Sequence, residues 1–526
     1  MEKVLLFALL AINYVAGIDM RVDPLVLTKQ GLVKGRKASD GDYSEFLGIP
    51  YAKVDLENPF GPAQEITRFE QQVFFAYDGS TKCPQTSSPD KPSNEGTLDC
   101  LTLNVYVPFK ASYTNPLPVL VFIHGGIFSF GSAGEYKVKN LVRHDIVVVT
   151  INYRLGPYGF MCLDTPSVPG NQGLKDQYEA LRWIRSNIDS FGGNPYNVTL
   201  SGQSAGACAT LLHLYSSKEK LFHKVIVESG TPQNYGMFVE GDVHAATKIA
   251  QHLGLNTTDT EEALEFLTSA PHALVTAAAI DLNLQLRPCR EKSFSGVDNF
   301  VESDPFSLSN ANKVRNTPIL IGHTSQEEGA GGQDYFNSDP FYIKIDNSFN
   351  MNEEQLHKAA LNIKHFYIGD APAESLLSRM ADFESDFVFN HPMQRTITNL
   401  VAENAQVYQY MFSYVGDSGA DGARHSAELF YLYNAGDEVN QADQLIIDRI
   451  TTIWANFVKY GNPTPKATGL LPVTWSPVTK DTKPYLVIDT DIRMESRVYN
   501  DRMAYWDLFY DNYGNYNKLL RKCHIK

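Results

Sequence analysis

A serine between glycines is the clearest candidate for covalent chemistry in this sequence. Gly202-Gln203-Ser204-Ala205-Gly206 fits the pattern G-x-S-x-G, which holds a serine on a sharp turn between a strand and a helix. The apolar residues 198–200 predict the strand, and residues 207–214 predict the helix. Because both flanking elements are predicted, we interpret Ser204 as a nucleophile rather than as a chance serine in a glycine-rich loop.

A second glycine motif predicts donors for a developing oxyanion. His124-Gly125-Gly126-Ile127-Phe128 directly follows residues 119–123, a continuous apolar run typical of a buried parallel strand. Loops of this kind present backbone N–H groups to the oxyanion of acyl transfer, and each donor contributes about 3–4 kcal/mol. We expect an oxyanion hole made by Gly125, Gly126 and Ile127, together with the N–H of Ala205.

A serine hydroxyl is a weak nucleophile and needs a base that an acid orients. His425 lies in Gly422-Ala-Arg-His-Ser-Ala-Glu428, and Glu328 follows the predicted strand at 319–321. Glu328 is preceded by a second glutamate, Glu327. The chain has 13 histidines, so position alone does not select the base.

The elements that must position these residues alternate along the chain. Apolar runs at 119–123, 146–151, 198–200, 225–227 and 319–321 predict buried strands, and helical spacing of apolar residues predicts a helix over 174–190. This alternation favours an α/β fold with a large, mostly parallel sheet flanked by helices, in one domain over residues 18–526.

Composition restricts the partners. The net charge of −15 over 526 residues argues against a nucleic-acid partner, because such a partner requires a basic face. Residues 1–17 have the basic start and short apolar run of a signal peptide, and no later run is long enough to predict a membrane span. The sequons at Asn197 and Asn256 fit a secreted, extracellular glycoprotein.

The six cysteines allow one prediction of a bridge. Cys83 and Cys100 flank a polar loop and are the best candidates for a disulfide. Cys162 and Cys208 lie in apolar contexts, so we expect both to be core thiols. Cys289 and Cys523 cannot be placed from the sequence.

Motifs along nearly the whole chain match one known family. They are Phe46-Leu-Gly-Ile-Pro-Tyr-Ala52, Asp99-Cys-Leu-Thr-Leu-Asn-Val-Tyr106, His124-Gly-Gly126, Asn152-Tyr-Arg-Leu-Gly156, Gly170-Asn-Gln-Gly-Leu-Lys-Asp-Gln177, Phe191-Gly-Gly-Asn-Pro195, Glu328-Gly329, His425 and Gly461-Asn-Pro463. The chain resembles the type-B carboxylesterases, a family of α/β-hydrolase fold that includes cholinesterases, and within it the insect juvenile hormone esterases and moth antennal esterases.

The resemblance implies roles for individual residues. The implied triad is Ser204, Glu328 and His425, with Glu327 as the alternative acid, and Ser229 would support the Glu328 carboxylate. The resemblance also implies an Arg154–Asp176 ion pair and a Cys83–Cys100 bridge.

Two departures from the family pattern bear on the chemistry. Gln203 stands where the family usually has a glutamate, and Ile127 stands where a glycine is common. A β-branched residue disfavours positive φ, so we expect position 127 to have negative φ. Its side chain would then either narrow the acyl side of the pocket or pack into the core.

These features predict a secreted serine hydrolase of small apolar esters that uses no metal or organic cofactor. The alternative is an inactive adhesion or binding protein on the same fold. A cholinesterase is disfavoured because the loop between Cys83 and Cys100 has no aromatic residue to contact a quaternary ammonium.

Overall fold

A computed structural model of the protein describes residues 24–86, 94–305, 310–329, 340–370, 376–436 and 438–519. The predicted signal peptide, residues 1–17, and Cys523 lie outside the described residues.

The centre of the fold is an 11-stranded sheet. Its strands, numbered along the chain, are β1 Arg36–Lys37, β2 Tyr43–Pro50, β3 Thr102–Pro108, β4 Leu117–Ile123, β5 Val147–Ile151, β6 Gly193–Gln203, β7 Lys224–Glu228, β8 Pro318–Thr324, β9 Gln406–Phe412, β10 Pro484–Ile488 and β11 Arg493–Ser496.

The strand order is β11-β10-β9-β8-β7-β6-β4-β5-β3-β2-β1. Pairing is parallel from β5 to β10 and antiparallel at both edges. The α/β fold with a mostly parallel sheet is therefore confirmed. In such sheets functional groups gather beyond the carboxyl ends of the parallel strands, where β4, β6 and β8 end.

Three small groups of strands accompany this sheet among the described residues. Leu25–Thr28, Gly31–Lys34 and Val73–Phe75 form one, Ala52–Lys53 pairs with Gln64–Glu65, and Gln85–Thr86 pairs with Asn94–Glu95.

The helices cover the sheet between its strands. The α-helices are Lys139–Val142, Gly156–Phe160, Gln172–Asn187, Ala205–Tyr215, Ala245–His252, Thr260–Ser269, His272–Asp281, Ala311–Val314, Pro340–Ser348, Glu353–Tyr367, Leu376–Ser385, His391–Ala402, Ala427–Leu429, Gln441–Tyr460 and Asn500–Tyr513, and two π-helical turns span Asp386–Asn390 and Phe430–Asn434. In the described part, no helix is both long and apolar enough to cross a bilayer.

Alternation along β4 explains why its sequence is continuously apolar. Val119, Val121 and Ile123 belong to one hydrophobic core, whereas Leu120 and Phe122 belong to a second core. Successive side chains of a strand point to opposite faces, so both faces of the sheet are covered. Helices on both faces fix the ends of the strands, and the loops at those ends carry the candidate site.

Two disulfides fasten loops to this framework. Cys83–Cys100 is present as predicted. Cys162 forms a disulfide with Cys289, so the prediction of a core thiol at Cys162 was wrong. The partners are 127 residues apart, which is why spacing gave no signal. Cys208 is a buried free thiol.

The predicted Arg154–Asp176 ion pair is also present and fully buried. Arg154 Nη2 lies 2.7 Å from Asp176 Oδ1, and Arg154 Nε lies 2.8 Å from Asp176 Oδ2. The carbonyl groups of Pro59 and Gly61 accept the Nη1 donors of the same guanidinium. Buried charges need such full pairing because an unpaired charge loses its hydration.

Candidate active site

Ser204 occupies the single residue between β6 and the helix Ala205–Tyr215. Its φ of 57° and ψ of −122° are unfavourable for a residue with a Cβ. A Cβ on Gly202 would lie 2.2 Å from the oxygen of Gly206, and one on Gly206 would lie 2.0 Å from the oxygen of Ile123. The two glycines therefore permit the close backbone approach that this strained turn requires.

His425 lies in the loop after β9 and is paired with a buried carboxylate. Its Nδ1 lies 2.5 Å from Oε2 of Glu327. The other oxygen of Glu327, Oε1, accepts the hydroxyl of Ser229 at 2.5 Å and the N–H of Thr324 at 2.8 Å. The partner of His425 is thus Glu327, and the choice of Glu328 for that position was wrong.

The backbone of the loop after β8 decides between the two glutamates. The N–H groups of Ser325 and Gln326 bond the carbonyls of Phe412 and Ala423, and the N–H of His425 bonds the carbonyl of Glu327 at 3.2 Å. This register places residue 327 against the histidine loop. The N–H of the next residue, Glu328, instead bonds the hydroxyl of Ser385 at 3.0 Å.

Ser229 likewise contacts Glu327 rather than the predicted Glu328. It has a φ of 53° and is fully buried. Its hydroxyl can donate to the carboxylate from the end of the neighbouring strand β7. We therefore assign Ser229 as a support of Glu327.

The opposite charges of His425 and Glu327 shift the pKa values of the two side chains in opposite directions. Burial alone would lower the pKa of His425, but the charge of Glu327 and the hydrogen bond to it outweigh burial and raise this pKa. Burial alone would raise the pKa of Glu327, but the charge of His425 and its hydrogen bonds lower it. Glu327 is therefore ionised at neutral pH and stabilises an imidazolium.

The other ring nitrogen of His425 faces the strand that carries the serine. Since Glu327 accepts a hydrogen bond from the N–H group at Nδ1, Nε2 of the neutral ring carries no proton and can accept one. Nε2 of Gln203 lies 3.3 Å from it and also donates to the hydroxyl of Ser426 at 2.8 Å. Gln203 thus connects the histidine loop to the turn at Ser204. Nothing in its residue type marked Ser426 as a member of this network.

The glycine loop after β4 lies beside the serine. A Cβ on Gly125 would be 3.1 Å from the Cβ of Ser204. Gly126 has a φ of 100°, and a Cβ there would collide with the oxygen of Phe130 at 2.0 Å. Ala205 is the first residue of its helix, where N–H groups have no acceptor within the helix.

The prediction of a negative φ at Ile127 is wrong. Its φ is 45°, and the following Phe128 has a φ of 58°. Two consecutive residues with a Cβ in this region are strained, and such strain persists only where the surroundings impose it. The Ile127 side chain is 37% exposed, so it does not pack into the core.

One aromatic contact was not foreseen from the sequence. The ring of Phe389 lies 4.8 Å from that of His425. Phe389 belongs to the π-helical turn Asp386–Asn390, and Asp386 in this turn accepts hydrogen bonds from Tyr367 and Arg502. A remote buried network therefore holds an apolar ring against the histidine.

The side chains and backbone groups of the site are those that acyl transfer requires. Throughout the described ranges, no group of three or more His, Cys, Asp or Glu side chains is placed to hold a metal ion. A strained serine, a histidine paired with an ionised carboxylate and a loop of backbone donors on a mostly parallel sheet define the class of serine hydrolases of α/β-hydrolase fold.

Comparison with known proteins agrees with this class. The sequence profile of the carboxylesterase family matches residues 22–506, and the chain belongs to this family. Juvenile hormone esterase of Heliothis virescens is 31% identical over 82% of this chain and 85% of its own length. Esterase FE4 of Myzus persicae is 31% identical over 83% of each chain.

A vertebrate relative extends the match further along the chain. Bile salt-activated lipase of Rattus norvegicus is 28% identical over 92% of this chain and 85% of its own length. The resemblance inferred from sequence motifs is confirmed, and the protein is a carboxylic ester hydrolase.

Proposed function

We propose that the protein hydrolyses small esters through an acyl-enzyme on Ser204, with His425 as the base and Glu327 as the acid. The observation that carries this proposal is the 2.5 Å contact between Glu327 and Nδ1 of His425, which leaves Nε2 as the proton acceptor, 3.3 Å from the side chain of Gln203 next to Ser204. This arrangement fixes the tautomer in which His425 can remove the hydroxyl proton of Ser204.

The reaction proceeds in two steps. The Oγ of Ser204 attacks the ester carbonyl while His425 takes its proton, and the oxyanion is held by the N–H groups of Gly126, Ile127 and Ala205. His425 then protonates the leaving alcohol, and the acyl-enzyme forms. Water, deprotonated by His425, releases the acid. Gly125 shapes the turn that presents the oxyanion donors. Every proton transferred in the two steps comes from Ser204, His425 or water.

The substrate is a small ester that is apolar next to its carbonyl group. Phe389 contacts His425. The partly exposed Ile127 belongs to the loop of residues 124–130 after β4, which we call the oxyanion loop. Both side chains favour hydrocarbon next to the reacting group. Since the Heliothis virescens relative is named juvenile hormone esterase, a hormone ester is one candidate substrate, beside pheromone, dietary and xenobiotic esters.

Secretion is part of the proposal. The signal peptide predicted at residues 1–17 and the sequons at Asn197 and Asn256 support it. The disulfides Cys83–Cys100 and Cys162–Cys289 fit an oxidising compartment. Glycan analysis of protein secreted by cultured cells, with the N-terminus sequenced, tests this part.

Active-site labelling tests the nucleophile. A fluorophosphonate ester is expected to label the protein once, on the peptide that contains Ser204, because only a base-activated serine reacts rapidly. Ser204→Ala is expected to abolish both labelling and ester hydrolysis. Label on another serine, or an active Ser204→Ala variant, would contradict the assignment and revive the alternative of a binding protein on this fold.

A substrate panel tests the ester class. Hydrolysis rates of 1-naphthyl acetate, a long-chain alkyl acetate and the methyl ester of a terpenoid acid separate a broad carboxylesterase from a pheromone or hormone esterase. Ser204→Ala serves as the blank for spontaneous hydrolysis.

A further inference from the structure

Arg287 is a buried cation for which the described part of the chain supplies no carboxylate. Arg287 follows the helix His272–Asp281 in the sequence, and the residue is 8% exposed. No carboxylate of the described residues approaches it within 4.0 Å. Only Nη1 is bonded, to the hydroxyl of Ser129 at 3.0 Å and the carbonyl of Leu286 at 3.0 Å. The Nε and Nη2 donors bond no atom of the described chain.

Such a side chain is costly unless something compensates its charge. Burial lowers the pKa of Arg287 to about 10, so the guanidinium is still charged near neutral pH. The other buried arginines of the described residues use these donors differently: Arg154 is paired with Asp176. Arg449, as buried as Arg287, donates Nε and Nη1 to backbone carbonyl groups. Arg287 has neither arrangement on its Nε–Nη2 edge, so this edge is available to an anionic ligand that would compensate the charge.

The position of Arg287 relates it to the active site. Its partner Ser129 lies two residues after Ile127 in the oxyanion loop, and the hydroxyl of Ser129 contacts the carbonyl of Ile127 at 3.3 Å. The guanidinium is therefore linked through one side chain to the loop that would hold the oxyanion. A Cβ on Gly125 of the same loop would lie 3.1 Å from the Cβ of Ser204, so one loop contacts both Arg287 and the nucleophile.

The backbone around Arg287 is held rigidly. Two residues later, Cys289 is bonded to Cys162. The N–H and carbonyl groups of Cys289 also bond the side chain of Asn171 at 3.0 and 2.8 Å. A donor fixed in this way loses little freedom when a ligand binds.

From the proposed ester hydrolysis and this geometry, we propose that Arg287 binds a carboxylate that the ester substrate carries at a distance from the scissile bond. The Nε–H and Nη2–H groups form one edge of the planar guanidinium and match the two oxygens of a carboxylate. The substrate would thus be a carboxylate-bearing ester, apolar near its reacting carbonyl and anionic at one end.

The test compares esters that differ only by a carboxylate. Phenyl pentanoate is the neutral reference, 3-(pentanoyloxy)benzoate carries the carboxylate on the alcohol side, and monophenyl glutarate carries it on the acyl side. The measured quantity is the ratio of kcat/KM for a carboxylate ester to kcat/KM for the neutral ester. For one of the two carboxylate esters, this ratio is expected to be about 10- to 100-fold higher in the parent enzyme than in Arg287→Gln. Arg287→Lys, which keeps the charge without the planar edge, is expected to fall between them.

Arg290→Gln is the matched control. Arg290 lies on the same segment, but its side chain is 44% exposed and 3.8 Å from Asp304, so the substitution is expected to leave the ratio unchanged. Thermal unfolding of each variant shows that it is folded.

Equal ratios in the parent and Arg287→Gln for both carboxylate esters would overturn the inference, and they can arise in two ways: from unchanged activity on all three esters, or from an equal loss on all three. The second would show that Arg287 only supports the oxyanion loop. Calorimetric titration with glutarate needs no turnover, and binding that Arg287→Gln abolishes is the expected result. If no ester is hydrolysed, the proposed function fails, and this titration still decides the inference.

Discussion

Oε2 of Glu327 lies 2.5 Å from Nδ1 of His425, and Oε1 of the same carboxylate accepts hydrogen bonds from Ser229 and Thr324. Both oxygens are therefore occupied, and the carboxylate cannot rotate without losing a bond. This fixes the imidazole as well, because its Nδ1 proton has a single well-placed acceptor.

Glu327→Gln is expected to lower kcat by about 10⁴-fold, since a neutral amide no longer selects the productive tautomer or stabilises the imidazolium. Glu328→Gln is the matched control, one residue away and bonded through its backbone to Ser385. We expect it to stay within a few-fold of the parent. Steady-state kinetics on 1-naphthyl acetate measure both, and the reverse order of effects would contradict the assignment of Glu327.

Ser229→Ala is expected to lower kcat by about tenfold with little change in KM. It removes one of the charge-assisted hydrogen bonds of Glu327, each worth about 1.5–3 kcal/mol, while the bonds to Thr324 and His425 remain. Ser201→Ala is the control, because the hydroxyl of Ser201 bonds Glu228 instead. Equal kcat values in Ser229→Ala and the parent would show that this hydroxyl does not support the reaction.

Gln203→Glu is expected to move the acid limb of the pH profile of kcat/KM upwards. His425 acts as a base only when neutral, and its pKa is already raised, so activity falls as the pH drops through that raised value. A second carboxylate 3.3 Å from Nε2 would stabilise the imidazolium further. Gln203→Met, which adds no charge, is the control. A profile that coincides with the parent's would show that the new carboxylate turns away from the ring.

Ile127→Gly is expected to raise kcat/KM for hexanoate esters relative to acetates of the same alcohol. The exposed side chain of Ile127 takes space beside the oxyanion loop, and removal of a clash raises the ratio about tenfold per 1.4 kcal/mol. Glycine also tolerates the φ of 45°, so we expect the variant to remain folded. Val243→Gly, which removes a similarly exposed apolar side chain elsewhere, is the control. An unchanged ratio in a folded Ile127→Gly variant would show that Ile127 does not border the acyl group.

Local patterns in the sequence were enough to predict the strands β4 to β8 and the turn that carries the serine. Strands β4 and β6 could be predicted as buried strands from their runs of apolar residues. These runs exist because both faces of the sheet are covered. The serine turn was identifiable because part of its glycine pattern follows from a contact within a few residues: a Cβ on Gly202 would meet the oxygen of Gly206. Local requirements of this kind leave a mark on residue type and spacing.

Which residues meet over long separations in the sequence depends on how the whole chain folds. Glu327 and Glu328 are the same residue type, and only the pairing of the loop after β8 with the histidine loop turned one of them towards His425. The Cys162–Cys289 bridge and the contact of Phe389 with His425 join segments that share no local pattern. At Ile127 the surroundings of the oxyanion loop impose a φ that intrinsic preference opposes. Each of these depends on contacts between distant segments, which residue order does not encode locally.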